Sequence, residues 1–288
     1  MKVFEVKPYG YCAGVLLALR KAYEAKRNRP NRRVYLLGML VHNEETIELL
    51  QNAGLILLDE RKEDLESQLR KLGQGDSVIF SAHGHPAIYD EIARENNVEI
   101  IDATCPFVKE NEAEAKKLLK EKEEIIYLGV KGHLESEGFR ANVKEACFYD
   151  VHSHEFDKDK IKGDSPIALS QTTLSETEID SSLAYLSSFY PTLRKGKLRC
   201  DATSARQKAM KELPEGIDTV IVLGSNSSNN SLKLYEIALK SKKKAYLALN
   251  LDAVKALDLS SSCYVALATG ASTSLETYLA VKDYLLSL

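Results

Sequence analysis

The 288 residues predict an α/β protein of three related lobes with mainly parallel sheets. Three observations carry that expectation. Cys12, Cys105 and Cys200 stand 93 and 95 residues apart, dividing the chain almost evenly. A strand-like run ending in glycine recurs at Val34 to Gly38, Ile125 to Gly129 and Val220 to Gly224, with the glycines 91 and 95 apart. A second apolar run follows in each third, at Val78 to Gly84, Ile167 to Thr173 and Val265 to Ser272. Matched units in one order mark a repeat architecture, and strands alternating with helical patterns over short links mark parallel sheets. The predicted lobes are residues 1–103, 104–198 and 199–288, with the N-terminal strand a candidate partner of the third lobe.

In the first unit, Lys2 to Pro8 reads as a strand, Cys12 as the loop after it and Ala13 to Arg27 as a helix with Val15, Leu16, Leu19 and Tyr23 on one face. Strand Val34 to Leu37 leads to His42-Asn43 and a helix over Glu44 to Asn52, stopped by Gly54. Leu55 to Leu58 and Ser77 to Phe80 are strands, as is Val98 to Ile101; Glu60 to Leu72 and Ala87 to Glu95 are helices. The second unit has helix Phe107 to Leu119, strand Ile125 to Leu128, a polar loop from His133 to Glu137, helix Gly138 to Val143, strands Cys147 to Val151 and Ile167 to Ser170, and helix Ser175 to Phe189. The third opens on a weak run, Lys197 to Arg199, before helix Thr203 to Leu213. Strand Thr219 to Leu223, loop Ser225 to Asn230, helix Leu232 to Lys240, strands Ala245 to Leu249 and Cys263 to Ala268, and helix Ser272 to Leu286 complete it.

Hydrophobic residues at 44% and charged residues at 28% are ordinary for a soluble globular chain. A net charge of −3 gives no sign of a nucleic-acid or membrane partner. No apolar run reaches the roughly 18 residues of a spanning helix and no signal pattern precedes the first strand, so a cytoplasmic location is expected. Five scattered cysteines make no disulfide framework and are judged singly.

Ligands of open α/β sheets bind beyond the carboxyl ends of the strands. Arranged around a pseudo-threefold axis, three sheets would point those ends at one centre, where Cys12, Cys105 and Cys200 would meet. A cysteine just before a helix lies near unpaired N–H groups that favour its thiolate, and thiolates suit soft iron or zinc. Three of them would leave one iron of a 4Fe-4S cube without a protein ligand. One such cysteine alone would read as a small buried hydrophobe; three in equivalent places read as a shared metal site. Cys147 and Cys263 begin apolar strands and read as core. His42, His83 and His133 each follow a strand end, and with Thr172, Ser228, Asn230 and Ser272 they offer imidazoles, hydroxyls and amides suited to phosphate groups. His85, His152 and His154 lack matched partners and read as surface or structural. Glu135, two residues beyond His133, is either a proton donor at that centre or an exposed loop glutamate. There is neither a P-loop nor a dinucleotide fingerprint, so no nucleotide cofactor is indicated.

Taken together, Tyr-Cys-Ala-Gly-Val at 11 to 15, Val-His-Asn at 41 to 43, Ser-Ala-His-Gly at 81 to 84, Asp-Ala-Thr-Cys-Pro at 102 to 106, Gly-His-x-Glu-x-Glu-Gly at 132 to 138, Gln-Thr-Thr-Leu-Ser at 171 to 175, Ala-Thr-x-x-Arg-Gln at 202 to 207 and Gly-Ala-Ser at 270 to 272 form a family pattern. The chain resembles the 4-hydroxy-3-methylbut-2-enyl diphosphate reductases over its whole length. The resemblance implies three lobes around a central iron-sulfur cluster of the 4Fe-4S type, held by Cys12, Cys105 and Cys200 with one iron open. It implies that His42, His83, His133, Ser228, Asn230 and Ser272 hold an allylic diphosphate substrate, and that Glu135 and Thr172, with His133 beside them, serve the substrate hydroxyl and its proton. Two electrons, arriving singly from ferredoxin or flavodoxin, and two protons would remove the hydroxyl as water and leave isopentenyl or dimethylallyl diphosphate, the last step of the methylerythritol phosphate route. Leu134 stands where the family usually has proline, and Asn229 replaces a serine. Two other readings are a quinolinate-synthase-like dehydratase, whose motifs are not these, and a zinc-stabilised binding module using three cysteines and a histidine.

Overall fold

Continuous apolar runs become strands covered on both faces. The computed structural model describes every residue except Lys197 and Arg199, so both ends of the weak run expected at Lys197 to Arg199 lie outside the described residues. β1 (Lys2–Glu5) and α1 (Ala13–Asn28) open the chain, followed by β2 (Val34–Leu37), α2 (Glu44–Asn52), β3 (Ile56–Leu58), α3 (Leu65–Arg70), β4 (Ser77–Phe80), α4 (Ile88–Glu95) and β5 (Glu99–Asp102). Next come α5 (Pro106–Lys120), β6 (Ile125–Gly129), α6 (Leu134–Asn142), β7 (Cys147–Asp150), a 3-10 turn at Lys158–Lys160, β8 (Ile167–Ser170), α7 (Glu176–Ser187) and β9 (Arg194–Lys195). α8 (Asp201–Lys211), β10 (Thr219–Leu223), α9 (Asn229–Lys240), β11 (Lys244–Ala248), α10 (Leu251–Lys255), β12 (Tyr264–Thr269) and α11 (Leu275–Ser287) complete it.

The strands form three four-stranded sheets, ordered β3-β2-β4-β5, β7-β6-β8-β9 and β1-β12-β10-β11. Every ladder within them is parallel. β1 leaves its sequence neighbours and pairs with β12, Val3 opposite Val265. Alternation along each strand sorts side chains to two cores. Ile221, Leu223, Val265 and Leu267 enter one cluster while Val220, Val222, Ala266 and Ala268 enter another. In the middle sheet Ile126 and Leu128 face one side, and Ile125 and Tyr127 the other. Burial on both faces is why these runs lack a polar-apolar alternation.

The chain divides into two compact units. One comprises Met1–Leu16, Val41–Asn52 and Asp201–Leu288 and contains the β1-β12-β10-β11 sheet; the other comprises Leu17–Leu40 and Ala53–Cys200 and contains the remaining two sheets. No helix among the described residues is long and apolar enough to cross a membrane.

The departures from the sequence reading have local causes. The helix expected over Glu60 to Leu72 shrinks to α3, because Asp59 holds Arg61 in a turn (Arg61 N to Oδ1, 3.0 Å) and Asp64 caps the helix by accepting from Ser67 N at 2.8 Å. α6 starts at Leu134 rather than Gly138, since the His133 ring caps it. α9 starts at Asn229, capped by Ser228, so Asn230 is helical rather than part of a loop. α11 starts at Leu275 with Ser274 as its cap, which leaves Ser272 in the preceding turn. Cys263 is exposed ahead of β12 and not in the core, whereas Cys147 is fully buried as expected.

Candidate functional site

In the unit built on β1-β12-β10-β11, Cys12 sits between β1 and α1. Its N–H donates to Ala271 O at 3.0 Å, and its Sγ accepts from Val15 N at 3.5 Å, placing the sulfur at a helix N-terminus. The loop before it is anchored twice at Gly10, whose N–H donates to Thr269 Oγ1 at 2.9 Å and whose carbonyl accepts from Arg206 Nη2 at 2.6 Å. Gly10 has φ +77°, a conformation that costs other residues strain. Arg206 is buried, and holding this loop is a role the sequence motif did not reveal.

His42 follows in the turn into α2. Its carbonyl accepts from Ser272 Oγ at 3.1 Å, and Ser272 O accepts from Thr46 Oγ1 at 3.3 Å, so His42 and Ser272 are brought together. Burial lowers the His42 pKa, outweighing the attraction of Glu44, so the ring is held neutral. Ser228 caps α9 by accepting from Ser231 N at 3.3 Å. Ser225 and Ser227 bond to each other at 2.7 Å, and Ser227 Oγ donates to Glu44 at 3.1 Å, so the serine-rich turn is ordered by its own hydroxyls. Gly224 and Gly270 flank the Ser231 side chain so closely that a Cβ at either would overlap its hydroxyl. Asn230 is the unusual member. It is 4% exposed, and neither Nδ2 nor Oδ1 has a hydrogen-bond partner among the described residues. Leaving a buried polar group unmatched costs roughly 1–3 kcal/mol, so an amide held this way is suited to a ligand. The Nδ2 of Asn229 is likewise buried without a partner.

In the other unit, Cys105 caps α5 without a side-chain capping bond, with Pro106 at the first helical position and its own N–H donating to Ala82 O at 3.0 Å. Cys200 directly precedes α8 and, like Cys12 and Cys105, is half-buried. The His83 and His133 rings meet edge to face with centroids 5.8 Å apart. His133 Nδ1 accepts from Glu135 N at 3.2 Å, so the neutral ring carries its proton on Nε2, as a donor.

Glu135 is not a loop residue. It lies in the first turn of α6, 2% exposed, and its two oxygens accept from Thr172 N at 2.7 Å and Thr172 Oγ1 at 2.9 Å. Burial pushes its pKa up to about 7, against the lowering effect of hydrogen bonds from Thr172 and Tyr127. Gln171 fixes the neighbouring loop: Oε1 accepts from Val130 N and from Ser136 Oγ, both at 3.0 Å, and Nε2 donates to Thr173 Oγ1 at 2.7 Å. Gly138 lies against the His85 backbone, where a Cβ would sit 3.2 Å from His85 N, so α6 packs closely on the His83 loop.

A half-buried thiol directly before a helix has the chemistry to ligate a soft metal such as iron. Three half-buried thiols stand directly before helices, while buried Cys147, whose thiol burial pushes up to about 11, is not available as a thiolate.

A sequence profile of the LytB protein family matches residues 3–286. The 4-hydroxy-3-methylbut-2-enyl diphosphate reductase of Geobacillus sp. (strain WCH70) is 33% identical over 99% of this chain and 90% of its own length. The enzyme of the same name from Symbiobacterium thermophilum is 33% identical over 99% and 97%. Among solved structures, the E-1-hydroxy-2-methyl-but-2-enyl-4-diphosphate reductase of Plasmodium falciparum superposes with a TM-score of 0.83 at 27% identity, covering 99% of this chain and 87% of that one. A second, an (E)-4-hydroxy-3-methyl-but-2-enyl diphosphate reductase described as the terminal enzyme of the non-mevalonate pathway, gives 0.69 at 25% identity over both full chains.

Proposed function

The chain belongs to the LytB family and is thereby a 4-hydroxy-3-methylbut-2-enyl diphosphate reductase of the non-mevalonate pathway, and we propose how its own residues serve that reaction. The reaction removes the substrate hydroxyl as water with two electrons and two protons, giving isopentenyl or dimethylallyl diphosphate. The diphosphate is taken by His42, His83, His133, Ser228, Asn230 and Ser272. The observation that carries this assignment is the buried Asn230 amide, whose unmatched donor has no stabilising partner until an acceptor arrives. Ser228 at the start of α9 adds a hydroxyl beside backbone N–H groups, the usual setting for a phosphate oxygen. His133 donates from Nε2, and neutral His42 contributes one N–H without adding charge.

Thr172 and Glu135 serve the hydroxyl. With a pKa of about 7, a substantial fraction of Glu135 is protonated at neutral pH. In that state the bond to Thr172 reverses: Glu135 donates, Thr172 Oγ1 accepts, and the threonine proton is released toward the departing oxygen. Thr172 thus passes a proton without changing charge. His133 holds the Glu135 backbone in place from the helix N-terminus.

Cys12, Cys105 and Cys200 would hold the iron-sulfur cluster, which when bound supplies electrons and a Lewis-acid position at its open iron. The support is the matched placement of three thiols before helices. Single electrons from reduced ferredoxin or flavodoxin belong to the same reading and rest on the motif resemblance, and a cytoplasmic location rests on the expectation drawn from the apolar runs and the start of the sequence. Anaerobic turnover of the hydroxylated allylic diphosphate with an artificial reductant tests it. Products lacking the hydroxyl are expected, and a brown, sulfide-containing protein that does not convert the substrate would refute it.

A further inference from the structure

Once Glu135 has released its proton, it must be recharged, and it is 2% exposed with Thr172 along one edge. Behind it lies a cavity of about 10 Å³, lined by Asn111, Glu112, Tyr127, Glu135, Gly138 and Phe139 among others. That is room for about one water, provided polar partners are present. Three are. Asn111, on α5 and 3% exposed, donates from Nδ2 to Ser170 O at 2.7 Å, while its Oδ1 is buried with no hydrogen-bond partner among the described residues. Tyr127 on β6 is fully buried, lines the same cavity as Glu135 and is fixed by stacking on Phe139 at 3.7 Å. Glu112, one residue after Asn111, has a side chain 26% exposed, pairs with Lys116 and accepts from Asn142 Nδ2 at 3.1 Å. The cavity therefore joins the buried acid to a carboxylate in contact with solvent.

We propose that Glu112, a water held on Asn111 Oδ1 and the Tyr127 hydroxyl form a rear proton path that recharges Glu135 from the side away from Thr172. The inference rests on reading Glu135 as the acid of the reaction. Glu112, an ion-paired carboxylate at rest, takes a proton from solvent and passes it to the cavity water, and the water gives one to the Tyr127 oxygen as the Tyr127 O–H proton passes to the Glu135 carboxylate. No electrons move, and Glu112 and Tyr127 end with the charges they began with. Burial raises the Tyr127 pKa well above its ordinary value, so the phenol relays without ionising. The other titratable groups facing Glu135 are His83 and His85 after β4 and His133 at the cap of its own helix. His83 and His85 line the same cavity as Glu112 and Glu135. Tyr127 and Glu112 act through Glu135 and are positioning and relay residues.

The test compares Tyr127→Phe and Glu112→Gln with the parent holoenzyme, using the hydroxylated allylic diphosphate and an artificial reductant across a pH series. Each variant is expected to lose about tenfold or more in kcat, with KM within about twofold of the parent and iron content unchanged. The double variant should be no slower than the slower single one, because both interrupt one path. In Tyr127→Phe, loss of a donor to the carboxylate should also move the alkaline limb of the kcat profile upward. Parental kcat in either variant, or a loss expressed in KM alone, overturns the path. If Tyr127→Phe fails to fold, Glu112→Gln, at a partly exposed position, decides alone. A parent that does not turn over overturns the functional reading as well, whereas an active parent with unaffected variants overturns only the path.

Discussion

Glu135→Gln removes the proton and the charge of Glu135 while keeping its shape. The Gln carbonyl still accepts from Thr172 N, and its amide nitrogen donates to Thr172 Oγ1, which rotates to accept. Loss of a positioned acid costs roughly 100- to 10,000-fold in kcat, while the diphosphate contacts, and so KM, stay close to parental. A second consequence involves no chemistry. The folded pKa of about 7 lies above the ordinary 4.5 because burial disfavours the charged form. The folded chain therefore binds more protons than the unfolded chain between those values, and stability declines as pH rises through that window. The interval corresponds to about 3 kcal/mol, fully lost above about pH 7. Gln stays neutral at every pH and avoids this cost. Relative to the parent, the variant should gain up to about 3 kcal/mol on going from about pH 5 to about pH 8, measured by urea unfolding of anaerobically purified protein. A stability difference that does not change with pH would refute the burial argument, and parental turnover would remove Glu135 from the proton path.

Three further outcomes are expected. Cys12→Ser, Cys105→Ser and Cys200→Ser should each abolish turnover and lower bound iron and sulfide, whereas Cys147→Ser should keep the iron because Cys147 packs in the core; equal iron loss in all four would count against the assignment. Asn230→Leu should weaken inhibition by inorganic diphosphate about tenfold or more, yet leave unfolding stability equal or higher by about 1 kcal/mol, since a buried unmatched amide has been removed. Unchanged inhibition would exclude Asn230 from the anion site. Gly270→Ala should destabilise by about 1–3 kcal/mol through overlap with the Ser231 hydroxyl, and Ser231→Ala in the same chain should restore most of it; a double-mutant cycle showing no coupling would refute this packing.

The lobes were legible because their signals are local. Runs such as Val220 to Leu223 are apolar at every position, as expected of strands covered on both faces. The repeating position of Cys12, Cys105 and Cys200 needed only counting. Helix starts were less legible, because capping is decided by side chains that read as loop residues: His133 and Ser228 each turn what looked like a polar loop into the first turn of a helix. That error placed Glu135 and Asn230 in loops rather than in the first turns of α6 and α9. Cys263 misled for a similar reason, since it lies one residue before β12 rather than inside it.

Taken alone, the amino-acid order determined the α/β class, the three parallel sheets and the residue types gathered at strand ends, all of which follow from patterns spanning a few tens of positions. Tertiary structure decided what depends on neighbours from distant parts of the chain. It paired β1 with β12, set Arg206 against the Gly10 carbonyl and left the Asn230 amide buried and unmatched. It also enclosed Glu135 among Thr172, Tyr127 and Asn111, and so raised an ordinary carboxyl to about 7. A carboxyl's affinity for its proton depends on how much water its neighbours exclude, and that is a property of packing which no short stretch of sequence contains.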